Sequence, residues 1–208
     1  MGYTNLYASL DSIYGKTNFA DAEITTKSDI WFNSSKLEEF TEEYVSQHPE
    51  LEIIEFRLLI STGYNSTFES DGTLRFRLNE GRAIGVNWGL DISDELNSVI
   101  FTEGSIDSFK TSNGSVLVEA HYARAYDLQP GESLLTKIAG RIYNFTINGI
   151  VQSPESLIVI PSPHDFLPNN HYGIIYIPIN ELQVYANLTG SINNILLKTS
   201  SSLSSESR

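Results

Sequence analysis

The sequence predicts an α+β fold in which two β-α-β units, one from each end of the chain, flank a β-rich insert. Three observations predict it. A capped amphipathic helix lies between strand-like segments near the start; short runs of alternating apolar and polar residues fill the middle; strand, helix and strand return near the end. The expected organisation is a discontinuous α/β lobe over 17–62 and 152–199, an inserted β-rich lobe over 63–151, and a flexible tail over 200–208. Packing the two end units side by side would bring the chain termini to the same end. With 208 residues, 40% of them hydrophobic, the chain has material for one core or two small ones.

Residues 19–27 read as a strand, and the helix over 36–47 is the clearest in the sequence. Ser35 and Glu38 form a capping box, Leu37, Phe40 and Tyr44 share a face, and His48-Pro49 ends it. Its acidic residues Glu38, Glu39, Glu42 and Glu43 read as a solvated surface, and Trp31-Phe32 as a staple ahead of it. Residues 51–62 form a long strand with Ile54, Phe56, Leu58 and Ile60 on one side and Ile53 and Leu59 on the other, which implies burial on both faces. Residues 61–72 are rich in turn formers. Beyond them 73–78 and 84–88 read as a hairpin across Asn79-Glu80-Gly81. A strand at 116–118 leads into a short helix over 119–126, closed by Leu128-Gln129-Pro130-Gly131. Residues 133–138 and 142–151 form the cleanest hairpin, turning at Ala139-Gly140. Finally 173–177 is a strand, Pro178 opens a helix carrying Leu182, Tyr185 and Leu188, Gly190 stops it, and 192–198 is another strand. Tyr143, Phe145, Phe76 and Trp88 fall at strand periods and read as core.

Charge excludes one class of partner. The 26 acidic residues against 13 basic ones leave a net charge of −13, and Lys and Arg form no cluster. Such a field repels phosphate backbones, so no nucleic-acid partner is expected. Without cysteine there is no disulfide, thiolate nucleophile or zinc-thiolate site. The pattern N-x-S/T occurs at Asn33, Asn65, Asn113, Asn144 and Asn187; it reads either as glycosylation sites of a secreted chain or as chance in an Asn, Ser and Thr-rich sequence. No apolar run approaches the ~20 residues of a membrane span; 157–160 is among the longest aliphatic stretches. Met1-Gly2-Tyr3 lacks the basic and apolar parts of a signal peptide. The chain therefore reads as a free soluble protein or as a domain of a longer membrane chain. Six serines in 199–208 mark a linker.

Motifs for chemistry are scarce. His48, His121, His164 and His171 are the histidines, and none forms H-E-x-x-H. His164-Asp165 with His171 could make a loop metal site but reads as polar loop residues, and Asp91, Asp94 and Glu95 lack the glycine and terminal glutamate of a calcium loop. No nucleophile elbow and no phosphate-binding glycine loop occurs. The expected site has no catalytic, cofactor or metal residue. Its candidate contact surface is His164, Asp165, His171 and Tyr172 beside the Pro161-Ser162-Pro163 loop, with Tyr172 the exposed aromatic.

Several segments together resemble a known family. They are Glu103-Gly104, Ser115-Val116-Leu117-Val118, Glu119-Ala120-His121-Tyr122-Ala123, Leu128-Gln129-Pro130-Gly131-Glu132-Ser133-Leu134 and the strand from Phe145 to Val151. With Asn18-Phe19-Ala20-Asp21, Ile175-Tyr176-Ile177-Pro178 and Asn193-Asn194-Ile195-Leu196-Leu197-Lys198, they cover most of the chain in order. The pattern is similar to the extracytoplasmic domain of ABC-transporter permeases of the MacB and FtsX-like kind. The resemblance implies a porter-like α/β lobe from both chain ends with a β-rich inserted lobe, placed between two membrane helices on the extracytoplasmic face. It implies no catalysis or cofactor in the domain, and coupling of ATP-driven motion of membrane helices to substrate or partner handling outside. The implied partners are the membrane helices of the same permease, a separate ABC ATPase and a second permease copy. A docked periplasmic adaptor is a feature of two-membrane bacteria; the sequons favour a single-membrane organism.

Two rival readings belong to other classes. One is a free secreted ligand- or carbohydrate-binding module working through exposed aromatics. The other is a secreted hydrolase, which requires a cleft holding two carboxylates with raised pKa values.

Overall fold

The computed structural model describes residues 13–27, 30–70, 73–156 and 172–200. In chain order the elements are β1 (Ala22–Thr25), β2 (Phe32–Asn33), α1 (Ser34–Gln47), β3 (Leu51–Ser70), β4 (Thr73–Val86), β5 (Ile100–Gly104), α2 (Ile106–Thr111) and β6 (Ser115–Glu119). They continue with α3 (Ala120–Ala125), β7 (Ser133–Ile138), β8 (Arg141–Gln152), β9 (Gly173–Pro178), α4 (Ile179–Ala186), β10 (Ser191–Ile192) and β11 (Asn194–Thr199). The α+β class is as expected.

One nine-stranded sheet runs in the order β1-β11-β3-β4-β9-β6-β8-β5, with β7 pairing both β3 and β8. Followed from β3, pairing passes through β4, β9, β6, β8 and β7 and returns to β3 at Gly63, Tyr64 and Asn65. Six strands thus close a ring and satisfy each other's backbone groups, which removes open edges from this part of the sheet. The β4–β9 and β6–β8 pairs are parallel and the remaining pairs antiparallel.

Both faces of this sheet are covered, and the continuous apolar runs follow from that. In β9, Ile175 and Ile177 enter the main core while Ile174 and Tyr176 enter a second one; in β6, Val116 and Val118 oppose Leu117 in the same way. Tyr122 and Ala123 of α3 and Leu182 of α4 cap the main core. Trp88, Val99 and Phe109 cover the other face. Each large apolar side chain buried in this way contributes about 1.5–3 kcal/mol. The two-sided reading of 51–62 holds, with Leu58 in the main core and Leu59 against the second.

Several expectations are corrected. The expected turn at Asn79-Glu80-Gly81 is continuous strand: β3 and β4 pair from Leu58 with Gly85 out to Ser70 with Thr73, so 61–70 is ladder rather than turn. Gly81 serves close packing, since a Cβ there would lie 2.1 Å from the Gly173 carbonyl oxygen and from Tyr64. Asn79 is buried and accepts from Tyr126 Oη at 2.9 Å, so it packs as a satisfied core polar group. The cap of α1 is Asn33, whose side chain accepts the Lys36 N–H at 3.0 Å, and Ser35 lies inside the helix. No residue of α1 is buried; Phe40 is 58% exposed and stacks on Tyr44, which stacks on His48. Trp31 packs against the main core, while Phe32 pairs with Ile192 and stays exposed. The last strand is broken at Asn193 into β10 and β11. Thr199 belongs to β11 and the Ser200 N–H donates to the Glu50 carbonyl; 201–208, the rest of the expected tail, lie outside the described residues. The Phe76 and Asn65 side chains and 157–160 also lie outside them. Asn33, Asn113, Asn144 and Asn187 are exposed.

The expected lobe boundary at 62/63 falls within β3, and β4 and β6 of the middle segment pair with β9 of the end segment. Of the termini, β1 and β11 lie antiparallel, with Ala22 opposite Leu197, so the described ends meet.

Candidate functional site: a buried charged seam

The apolar run of β3 carries two charged residues, Glu55 and Arg57. In a strand covered on both sides such groups must find partners, because an unpaired buried charge is strongly disfavoured. Arg57 is 2% exposed and stands opposite Asn194 of β11. Its Nε donates to Asn194 Oδ1 at 2.8 Å, Nη1 donates to Glu155 Oε1, and Nη2 lies 3.5 Å from Glu23 Oε1. Asn194 Nδ2 donates to Glu23 Oε1 at 2.6 Å and to Thr25 Oγ1 at 2.8 Å. Asn97 completes the network: Nδ2 donates to Glu155 Oε1 at 2.6 Å and Oδ1 accepts the Ala20 N–H at 2.8 Å. It does so with a φ of 48°, a conformation that asparagine tolerates. Strands β1, β3 and β11 and two connecting segments are thus joined through one buried guanidinium.

A short helical turn, Pro154–Ser156, carries the network onward. The Tyr176 hydroxyl donates to Ser153 Oγ at 2.6 Å. Burial, with the nearby Glu155 carboxylate, pushes the Tyr176 pKa well up and keeps the proton on. Ser156 Oγ donates to Glu119 Oε1 at 2.9 Å. Glu119 is buried at the start of α3, where Oε2 accepts the His121 N–H at 2.7 Å and Oε1 meets His121 Nδ1 at 2.9 Å. The turn therefore links β3 and β11 to β9 and to the β6–α3 junction.

Glu55 forms a second cluster with Glu95. Glu55 Oε1 accepts the Leu96 N–H, Glu95 Oε1 accepts the Gly89 N–H at 2.6 Å, and the Glu95 carboxyl lies close enough to Glu55 to act on its charge. Burial, reinforced by the Glu95 charge, raises the Glu55 pKa to about 7 against the pull of the Leu96 N–H and Arg57. A cavity of about 320 Å³ adjoins the pair, lined also by Glu38, Arg57, Asn87 and Gln183. These contacts fasten the 87–96 segment to β3. Of the other acids weighed with Glu95, Asp91 accepts the Ser93 N–H at 3.0 Å, and the Asp94 carbonyl accepts from Asn18 Nδ2 at 2.8 Å. Among the described residues no group of three His, Cys, Asp or Glu is placed to hold a metal ion.

His164, Asp165 and His171 of the expected contact surface lie outside the described residues. Tyr172 is described, and it corrects the expectation of an exposed aromatic: it is half-buried and packs on the second core. Sequence reasoning missed Arg57, Asn97, Glu119, Glu155 and Asn194. One signal was available, namely charges inside a strand apolar on both faces, which demand buried partners.

No protein-family model matches the sequence, and no curated protein matches it significantly. Solved structures do match the fold. The extracellular domain of the noncanonic ABC-type transporter YknZ from Gram-positive bacteria is 12% identical, with a TM-score of 0.51 over 86% of this chain and 82% of that one. The periplasmic region of MacB from Actinobacillus actinomycetemcomitans is also 12% identical, with a TM-score of 0.52 over 95% of this chain and 84% of that one. These neighbours are transporter domains, and among the described residues no helix is long and apolar enough to cross a membrane. The chain has the fold of the extracytoplasmic domains of MacB- and YknZ-like ABC transporter permeases.

Proposed function

We propose that this chain is the extracytoplasmic domain of an ABC transporter permease and couples ATP-driven motion of membrane helices to substrate or partner handling outside the membrane. The observation that carries the reading is the shared fold, with its described ends side by side in the β1–β11 pair. A domain hung from two neighbouring membrane helices needs its entry and exit strands adjacent. The Arg57 network supports the coupling step: it ties those two strands to β3 and to the 154–156 turn, so a displacement of the ends is passed into the ring of strands. In this mechanism 17–62 and 152–199 receive the motion and 63–151 present it outward. The partners are the membrane helices of the same permease, a separate cytoplasmic ABC ATPase and a second permease copy.

The test uses the full-length gene product. Hydrophobic segments of about 20 residues should flank the domain, and the protein should co-purify from membranes with an ABC ATPase. In the reconstituted complex, deleting the domain should abolish transport while leaving basal ATP hydrolysis. A gene product without flanking spans, or one that binds no ATPase, overturns the reading.

A further inference from the structure

A second pocket, of about 540 Å³, lies where the end of β1, β3, β4, the β7–β8 turn and the C-terminal end of α4 meet. Trp31, Leu59, Ile60 and Leu188 supply its apolar wall, and Lys27 and Arg82 are the charged residues among its described lining. We propose that this pocket binds a small amphipathic anion, its carboxylate or phosphate-type head held by Lys27 and Arg82 and its hydrocarbon body laid on the apolar wall.

Charge is the first argument. In a chain with twice as many acidic as basic residues, none of the described residues lining this pocket is acidic. The cavity beside Glu55, by contrast, is lined by three glutamates and one arginine. Lys27 and Arg82 are exposed, and neither forms an ion pair with another described residue, so both are available to an anion.

The surrounding backbone does not compete for the head group. Asn193 accepts the Leu59 N–H at 2.7 Å and donates to the Leu59 carbonyl at 2.9 Å, so the strand edge on the pocket floor is already satisfied. The carbonyls at the C-terminal end of α4 would oppose an anion. Those of Gln183 and Val184 accept the Leu188 and Asn187 N–H groups at 2.8 and 3.1 Å. The volume falls within the ~300–1,000 Å³ typical of small-molecule sites. Among the described residues a polyanion would meet two cations at the pocket within a strongly negative field, which favours a small ligand. The proposal stands on this lining alone and holds whether or not the domain belongs to a permease.

The test titrates the intact protein with octanoate, octyl glucoside and octyltrimethylammonium by calorimetry. Saturable binding of octanoate alone is expected, weakened about three- to tenfold by Lys27→Gln or Arg82→Gln and weakened also by Leu188→Asn. Both cations are exposed, so melting curves of the glutamine variants should match the wild type. Should a variant melt differently, weakening of wild-type binding in about 0.5 M salt provides the same check. Competition by phosphatidylglycerol vesicles would assign the head group to a lipid, and octanoate binding without competition would assign it to a free amphiphile. Equal binding of the neutral or cationic analogue, binding indifferent to the substitutions and salt, or no saturable binding overturns the proposal.

Discussion

Asp21 and Thr199, 178 residues apart in sequence, are joined directly: the Asp21 carboxylate accepts the Thr199 N–H at 2.8 Å and its hydroxyl at 3.0 Å. From this point β1 and β11 run antiparallel, so the paths into and out of the domain form one two-stranded seam. Replacing Asp21 by Ala should cost about 1 kcal/mol, as expected for surface hydrogen bonds. Amide exchange along β11 should accelerate at its C-terminal end. Unchanged exchange there would mean that the pair does not hold the ends together.

Arg57 is the member of the network whose loss should be most damaging. Arg57→Met removes the cation that faces Glu155 and leaves Asn194 Oδ1 without its donor. Because this leaves a largely buried carboxylate uncompensated, a loss of about 3–5 kcal/mol is expected by urea denaturation. A cost below 1 kcal/mol would show that the network relaxes into water.

Stability should fall between pH 4.5 and about 7 because of Glu55. Its pKa is about 7 in the fold against 4.5 for the free group, so the folded state holds the proton more tightly. The stabilisation is fully present below pH 4.5 and is lost as pH rises through about 7. Glu55→Gln mimics the protonated carboxyl and should remove this part of the pH dependence. Parallel urea-midpoint profiles for variant and wild type would contradict the assignment. Asp21 works in the opposite sense. Burial pushes its carboxyl up, but the two Thr199 donors and Lys198 outweigh it and hold it below its ordinary 3.8. Its contribution is present above that value and disappears as pH falls through the lowered one.

Gly81 should resist substitution. A Cβ would meet the Gly173 carbonyl oxygen and the Tyr64 ring at 2.1 Å, where β4 and β9 pair in the wall of the ring. Gly81→Ala should therefore cost about 1–3 kcal/mol or more, read as a lowered melting temperature. A neutral result would mean that β4 and β9 are not closely paired there.

Local periodicity determined the class of fold, the β-α-β units at both ends, the 133–151 hairpin, the two-sided burial of 51–62 and the strand at 173–177. Those features depend on neighbours within one strand or one helical turn, where period and capping chemistry act directly. Where local cues misled, distant packing had overridden them: Asn79 and Gly81 look like a turn, yet Tyr126 and Gly173, far along the chain, hold them in a strand. The exposed apolar face of α1 belongs with these, since amphipathic spacing does not say whether anything lies beneath it. Only the tertiary structure decided the closing of the ring at β7 and β3 and the meeting of Arg57 with Glu155 and Asn194. It also brought Lys27 and Arg82 to one pocket. Each of these joins residues dozens to more than a hundred positions apart. A charge in an apolar strand announces that it needs a partner, but which distant side chain reaches it is set by strand order and register.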